Sequence, residues 1–393
     1  MSHALFSRSP DLTQLREEGY FIQLVGSYLV MREVPYVDKD RKVRRGTLIS
    51  TLALAGDMTR PPDTHVIHFD GEYPCGPDGK PIMAISHQTQ HFELGNGLTA
   101  EHAFSSKPDS GYRDYYHKMT TYASILSGPA AVLDPSATPR PYRALDEEDT
   151  ESVFNYVETA SARAGIGALM TRLANHRIGI VGLGGSGSYI LDMVAKTPVA
   201  EIRIFDSDEF LQHNAFRAPG APTLAELREA PLKVDYFKAI YGRMHRGITA
   251  VPAAVKPETL HLLEGLDFVF LSLDAGEAKA AIITWLHDHS VAFIDIGMGL
   301  ELGEGGLTGI LRITTSTPLS RFEVAVNPRI PLAGGGADDI YASNIQVAEL
   351  NAFNAIQAVI KWKKLLGFYC DLEGERHSTY TVDGNLLLNE DQS

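Results

Sequence analysis

The sequence has few cysteines: Cys75 and Cys370 are the only two in 393 residues. This count excludes a disulfide framework and a zinc site made of four cysteines. The fourteen histidines are scattered and form no HExxH pair. No zinc is therefore expected.

The sequence also lacks the segments that direct a chain into or across a membrane. It has no apolar run of the roughly 18 residues that span a bilayer. The start, MSHALFSRSPDLTQ, has neither the basic segment nor the apolar stretch of a signal peptide. We expect a cytoplasmic protein without a membrane partner.

Basic residues are fewer than acidic ones: 35 Lys and Arg stand against 49 Asp and Glu, which gives a formal net charge of -14. Nucleic acid is therefore not an expected partner, because duplex binding normally needs a basic surface. Hydrophobic residues make up 44% of the chain, which is enough for packed cores and excludes wholesale disorder.

A domain boundary is indicated by the segment LDPSATPRPYRALDEEDT, where three prolines are followed by four acidic residues. We predict an N-terminal α+β domain over residues 1–132, a linker over 133–150 and a larger domain over 151–393. In the first domain, TLISTLALAG and HVIHFDG are predicted strands, and the aromatic stretch after them is predicted to end in a helix.

Strands and helices alternate in the larger domain. The predicted strands, rich in Val, Ile and Phe, are IGIVGL (178–183), EIRIFD (201–206), LDFVFLSLD (266–274) and SVAFIDIG (290–297). Helical stretches lie between them, which indicates an α/β fold with a doubly wound, mainly parallel sheet. A final, mainly buried helix is predicted from Ile345, Leu350, Phe353, Ile356, Val359 and Ile360, ending around Gly367.

The glycine-rich run Gly182-Leu-Gly184-Gly185-Ser-Gly187 follows the first of these strands and opens a helix. Glycines at this place allow a tight turn and close backbone approach, and the helix N-terminus favours phosphate. Asp206 ends the next strand, 19 residues after Gly187, where an acceptor for ribose hydroxyls is expected. The pattern predicts a nucleotide site without saying which nucleotide binds.

The residues after Asp206 narrow the choice of nucleotide-binding family. Asn214 and Arg217 follow it, Lys233 lies on the next predicted helix, and Asp274 ends a later strand. Together with the glycine run, this order resembles the E1-like family, which includes the ThiF, MoeB and HesA enzymes and the ubiquitin-activating enzymes. The resemblance covers about residues 154–367.

The resemblance implies ATP and Mg²⁺ as cofactors and a role for each residue. Asp206 would bind the ribose, Arg217 and Lys233 would neutralise the triphosphate, and Asn214 would orient it. Asp274 would hold Mg²⁺, which prefers oxygen ligands. The reaction implied is adenylation of the C-terminal glycine carboxylate of a ubiquitin-like protein, with release of pyrophosphate.

Family resemblance also supplies the expected partners. Arg163 matches the arginine that reaches the ATP of a second subunit, so a homodimer is expected. An N-terminal domain before a ThiF-like domain looks like the bacterial E1-like proteins found with ubiquitin-like conjugation or antiphage operons. That first domain faintly resembles E2-like or RWD-like folds and is interpreted as a binding module, and a separate E2-like protein is an expected partner.

The acceptor of the activated group is open, because the two CxxC pairs and the acceptor cysteine of many relatives are missing. The enzyme stops at the adenylate, or a serine forms an oxyester, or Cys75 takes the acyl group. The serine candidates are Ser316, Ser320 and Ser343, with Ser343 taken as the catalytic candidate. Serine needs an adjacent base or a reactive donor, and an acyl-adenylate is such a donor.

Two other functions fit parts of the pattern. A glycine run followed by a distant acid also suits an NAD-dependent oxidoreductase, although hydride transfer does not require Arg217, Lys233 and Asp274. A catalytically inactive pseudo-E1 scaffold would explain the missing acceptor cysteine, but it would have no need for Asp274.

Overall fold

The fold is described from a computed structural model of the chain. The structure describes residues 6, 8–56, 58–144, 152–164, 166–274, 276–321, 329–332 and 345–390, with the side chains of residues 162 and 163 left out. Two compact units are present. Unit 1 consists of Met1–Thr150 and Tyr156–Gly165, and unit 2 of Glu151–Asn155 and Ile166–Ser393.

Unit 1 is an antiparallel sheet with helices, which confirms the predicted α+β class. Six of its strands form one sheet in the order β1-β2-β3-β6-β8-β7, and β4 and β5 form a small ribbon. The elements are α1 Pro10–Glu17, β1 Phe21–Val25, β2 Tyr28–Val37, β3 Val43–Thr51, β4 Leu54–Ala55, β5 Met58–Thr59, β6 Val66–Asp70, a 3₁₀ turn Met83–Ile85, β7 Ser86–Gly95, β8 Leu98–Ser105, α2 Tyr115–Leu133 and α3 Ala160–Arg163.

The core of unit 1 lies between its sheet and α2. Alternate residues of the strands point inward, among them Leu48, Phe69 and Phe104, and they pack against Tyr115 and Tyr122 of the helix. Asp114 caps α2 by accepting a hydrogen bond from the backbone N–H of His117 at 2.7 Å. The predicted strands within TLISTLALAG and HVIHFDG and the helix after the aromatic stretch are confirmed.

Unit 2 contains one sheet of eight strands in the order β11-β10-β9-β12-β13-β14-β15-β16. The first five strands in this order, β11, β10, β9, β12 and β13, pair in parallel. The pairs from β13 to β16 are antiparallel. Its elements are α4 Gly167–Met170, β9 Arg177–Val181, α5 Gly185–Val194, β10 Glu201–Phe205, α6 Gln212–Ala215, α7 Leu224–Glu229, α8 Lys233–Tyr241, β11 Ile248–Val251, a 3₁₀ helix Pro257–Leu263, β12 Phe268–Leu271, α9 Glu277–Asp288, β13 Ala292–Gly303, β14 Gly306–Ser316, α10 Ala348–Leu365, β15 His377–Thr381 and β16 Leu386–Glu390.

Helices cover both faces of the parallel part, so the predicted doubly wound α/β sheet is confirmed. Helices α5, α8 and α10 pack on one face of the sheet. Helix α9 and the 3₁₀ helix pack on the other face. The four predicted strands lie at the core of this sheet, because both of their faces are buried and therefore apolar.

The final helix begins and ends close to the predicted residues, but its predicted buried face is wrong in part. Ile356 and Ile360 are exposed, 40% and 41%. The buried stripe is formed by Asn351, Asn354, Ala355, Ala358, Val359, Lys361 and Trp362. Small residues at 355 and 358 let the helix approach α5 and the sheet closely, so the apolar isoleucines fall on the outer side.

No helix among the described residues is both long and apolar enough to cross a membrane.

Candidate nucleotide site

Two glycines of the loop between β9 and α5 are required by the chain itself. Gly182 has a φ of +89°, and a Cβ on it would overlap the carbonyl oxygen of Ser272. A Cβ on Gly187 would overlap the carbonyl oxygen of Gly182. Without side chains at these two positions, the strand can turn sharply and the first turn of α5 can pack against it.

Gly184 differs from them, because a Cβ placed on it would meet no atom within 4 Å from the described residues beyond its own chain neighbours and helix backbone. It is the N-cap residue of α5, with a φ of -67°. The first backbone N–H groups of a helix have no partner within the helix and carry positive partial charge. The loop therefore leaves open space for a phosphate group beside Gly184.

Asp206 lies at the carboxyl end of β10, beside this loop. Its Oδ2 accepts a hydrogen bond from the backbone N–H of Leu183 at 2.8 Å, and its Oδ1 accepts one from Asp208 N–H at 2.9 Å. The carboxylate thus joins the glycine loop to the end of the neighbouring strand. Its placement suits the predicted contact with a ribose.

Lys233 begins α8 and is buried next to two carboxylates. Its Nζ lies 2.7 Å from Asp208 Oδ2 and 3.5 Å from Asp206 Oδ1. Asp208 is not among the residues predicted for the site, so its direct ion pair with Lys233, a predicted phosphate ligand, was missed. The only signal was an acidic residue two positions after Asp206.

Arg217 follows α6 and Asp274 follows β12, and the two are close enough for the charge of Asp274 to act on Arg217. The Arg217 Nε is buried and has no hydrogen-bond partner among the described residues. Burial lowers the pKa of Arg217, while the charge of Asp274 acts in the opposite direction. A buried donor of this kind costs about 1–3 kcal/mol when it stays unpaired, so it suits an anion supplied from outside.

Two neighbours of Arg217 lie on or beside α6. Asn214 is buried, and its Oδ1 accepts a hydrogen bond from the backbone N–H of Leu211 at 2.9 Å. This places its carbonyl in a helix cap, a role that the sequence did not indicate. His213 has its pKa lowered by burial and by the charges of Arg217 and Lys233, which favours the neutral ring beside these cations.

Two of the predicted catalytic residues give no side-chain geometry. Arg163 lies at the end of α3 in unit 1, and its side chain is outside the described part of the chain. Ser343 also lies outside the described residues.

The other acceptor candidates are all buried. Ser316 pairs with Phe293 near the start of β13, at the end of the sheet opposite the glycine loop. The buried Ser320 hydroxyl is 3.0 Å from Thr317 Oγ1. Cys75 is buried, and burial together with Asp38, Asp78 and Glu72 raises the pKa of its thiol. A raised pKa reduces the reactive thiolate.

The described residues offer a magnesium ion at this site few ligands. The described residues contain no group of three or more His, Cys, Asp or Glu side chains that could hold a metal. Asp274 is a single exposed carboxylate at the strand end. Magnesium is commonly bound by one or two carboxylates together with substrate phosphates and water, so Asp274 fits a metal that arrives with a nucleotide.

Comparison with known proteins adds relatives for both parts of the chain. Residues 10–159 match a family described as a domain of unknown function, DUF6791. A 153-residue stretch is 27% identical to the tRNA threonylcarbamoyladenosine dehydratase of Haemophilus influenzae, covering 37% of this chain and 56% of that protein. The chain thus matches little more than half the length of this curated relative.

Among solved structures, PaaA is 16% identical, with a TM-score of 0.44 over 57% of this chain and 76% of that one. The Escherichia coli protein MccB crystallised with ATP is 15% identical, with a TM-score of 0.42 over 58% of this chain and 67% of that one. The ThiF family model matches residues 159–378, which is more than half of the chain. The chain belongs to the ThiF family.

Proposed function

We propose that this protein is an E1-like adenylyltransferase that uses ATP to activate a carboxylate. The observation that carries the proposal is the buried Nε of Arg217, which has no hydrogen-bond partner among the described residues and feels the charge of Asp274. The arrangement offers space and donors for phosphate groups, and the ThiF family membership agrees with it.

Each group of residues has a part in binding ATP. Asp206 accepts hydrogen bonds from the ribose hydroxyls, and the phosphates extend over Gly184 and the N-terminus of α5. Arg217 donates its Nε–H to a phosphate oxygen. Lys233 keeps Asp206 and Asp208 in place through its ion pairs and adds its charge to the same end of the sheet.

The charges of the site explain why a divalent cation is needed. Arg217 and Lys233 are two cations, against the three carboxylates of Asp206, Asp208 and Asp274. These side chains alone cannot neutralise a triphosphate. Magnesium, when bound through Asp274, would supply positive charge at the phosphate oxygens and stabilise the leaving pyrophosphate.

The reaction requires positioning more than a protein base. An ionised substrate carboxylate forms a new O–P bond to the α-phosphorus, the bond between the α-phosphorus and the bridging oxygen breaks, and pyrophosphate leaves with the electron pair. Because the carboxylate is already deprotonated, no side chain has to remove a proton. The donors of Arg217 and of the α5 N-terminus stabilise the charge that develops on the phosphate oxygens.

The substrate we propose is the C-terminal glycine of a ubiquitin-like protein, with an E2-like protein as a downstream partner. A second copy of the chain would bring Arg163 to the ATP. The adenylate would pass directly to an outside acceptor, since Ser316 lies at the end of the sheet opposite the glycine loop and the Cys75 thiol is buried. Ser343 stays a predicted acceptor.

ATP–pyrophosphate exchange tests the proposal with a pair of variants on either side of one strand, β12. Asp274 follows the end of β12, whereas Asp267 precedes its start and accepts a hydrogen bond from the Arg177 N–H at 2.8 Å. We expect Asp274→Asn to reduce exchange about 100-fold or more, because charge stabilisation at the phosphates is lost. Asp267→Asn should leave exchange near the wild-type rate.

The outcomes separate the alternative functions. Unchanged exchange in Asp274→Asn contradicts the role given to Asp274. No exchange with any ubiquitin-like protein, together with tight NADH binding, would identify an oxidoreductase. ATP binding without exchange would favour the pseudo-E1 scaffold.

A further inference from the structure

Helix α10 carries two amide side chains on a face that otherwise packs as core. Asn351 is 1% exposed and Asn354 is fully buried, on the same side as Ala355, Ala358 and Trp362. Burying an amide is unfavourable unless its donors and acceptors are paired. Two such residues one turn apart therefore require an explanation from their contacts.

Asn351 contacts the glycine loop directly. Its Oδ1 accepts a hydrogen bond from Ser186 Oγ at 3.1 Å. A Cβ on Gly185 would overlap the Asn351 amide, so the amide fills the space where a side chain at position 185 would lie. The loop is thereby fixed at two successive residues by a helix 165 positions later in the chain.

The Asn351 Nδ2 has no hydrogen-bond partner within the described residues. An apolar residue of similar size would avoid this unpaired donor, which costs about 1–3 kcal/mol when buried. The donor lies at the N-terminus of α5, where every N–H dipole adds to the positive potential. The Asn351 amide donor therefore adds positive potential to the site, which an apolar residue would not do.

We propose that Asn351 is a positioning residue for the phosphate-binding loop. Its carbonyl accepts from the Ser186 hydroxyl, and its amide donor, which has no partner among the described residues, adds to the positive potential that ATP phosphates meet beside Gly184 and Gly185. This inference rests on the proposed function, because it needs ATP to be the bound nucleotide. Asn351 acts through the loop and does not take part in the chemical step.

Asn354 provides a matched control on the same helix. It is equally buried, but its Nδ2 donates a hydrogen bond to the carbonyl of Gly297 in β13 at 2.9 Å. It holds the strand β13 and not the glycine loop. The same substitution at both positions therefore separates the effect of a buried amide from the effect of contact with the loop.

The experiment measures binding of ATP and of adenosine to the full-length protein by calorimetry. Asn351→Asp keeps the acceptor for Ser186 and the size of the side chain, but it replaces the donor by a negative charge. We expect ATP binding to weaken about tenfold, because the charge opposes the phosphates. Adenosine affinity should change less than about twofold, since adenosine has no phosphate to meet that charge.

Asn354→Asp should leave the ratio of ATP to adenosine affinity at the wild-type value. Equal losses of ATP and adenosine affinity in Asn351→Asp, or no loss of either, would overturn the proposal. Ser186→Ala serves as the second variant if Asn351→Asp does not fold. It removes the same hydrogen bond and should weaken ATP selectively, and unchanged ATP binding would again overturn the proposal. A wild-type protein that does not bind ATP would instead refute the proposed function.

Discussion

At the scale of single residues, the glycines of the loop have two different tasks. Gly182 and Gly187 are needed because other parts of the chain occupy the space of a side chain. Gly184 has a negative φ and open space for a Cβ among the described residues, which therefore do not require glycine there. A residue that folding does not explain is a candidate for close contact with a ligand.

This difference leads to a prediction for two substitutions in one loop. Gly184→Ala should leave the thermal midpoint near the wild-type value but weaken ATP binding about tenfold or more, because the methyl group takes the space of a phosphate. Gly187→Ala should lower the thermal midpoint, because its Cβ collides with the carbonyl of Gly182. Thermal unfolding and calorimetric ATP titration of both variants check this. Wild-type ATP affinity in a folded Gly184→Ala variant would contradict the phosphate position.

At the scale of elements, the site divides into parts that local sequence predicts and parts that it does not. The glycine loop, the strand ends at Asp206 and Asp274 and the start of α8 at Lys233 depend on neighbouring residues, and the structure places them at one end of the sheet. The contact of Asn351 with Ser186 joins residues far apart in sequence, so no local pattern indicates it. The buried face of α10 was mispredicted for a related reason. Helical spacing shows which residues share one face of a helix, but it does not show which face packs against the rest of the protein.

The C-terminal end of α10 is joined to the segment before β15 by a cluster of charges. Lys361 Nζ lies 2.9 Å from Asp371 Oδ2, and Lys364 Nζ lies 2.9 Å from Glu375 Oε1. Burial disfavours the charged form of Asp371. Hydrogen bonds from Lys361 and the Gly374 N–H, with the charges of Lys361 and Lys364, outweigh this and hold its pKa at about 2.

This cluster predicts how stability depends on acid. Because the folded pKa of Asp371 is below its ordinary value, ionised Asp371 stabilises the fold above about pH 4, and this contribution disappears as the pH falls toward 2. Asp371→Asn should therefore destabilise the protein on the order of 1 kcal/mol at pH 7 and much less near pH 2.5. Denaturant unfolding at both pH values tests this, with the exposed Asp383→Asn as control. An equal cost at the two pH values would exclude the ion pair as its cause.

At the scale of the whole molecule, each unit contains its own hydrophobic core. The core of unit 1 lies around Phe69, Phe104 and Tyr122, and the cores of unit 2 lie on the two faces of its sheet. Units with separate cores generally unfold as separate cooperative transitions. The chain should therefore show more than one transition on heating.

Variants in each unit should move different transitions. Lys118 is fully buried in unit 1, where its Nζ donates hydrogen bonds to Ser50 Oγ and to the carbonyls of Thr64 and Val66. Lys118→Ala leaves these acceptors unpaired and should lower the free energy of unfolding of unit 1 by about 2–4 kcal/mol. Only the transition temperature of unit 1 should therefore fall. Gly187→Ala should lower only the transition temperature of unit 2. Scanning calorimetry measures both, and a single transition that moves with either variant would contradict this independence.

The stretch around residue 155 shows how closely the two units are combined in sequence. Residues 152–155 belong to unit 2, where Asn155 N–H donates to the Met244 carbonyl at 2.9 Å and Phe154 bridges to His245. The residues that follow, including α3, return to unit 1. No single breakpoint therefore separates the two units. A recombination event that moved the N-terminal unit through one breakpoint would either lose residues 156–165 of unit 1 or carry residues 151–155 of unit 2 with it. We therefore expect the two units to be inherited as one gene segment.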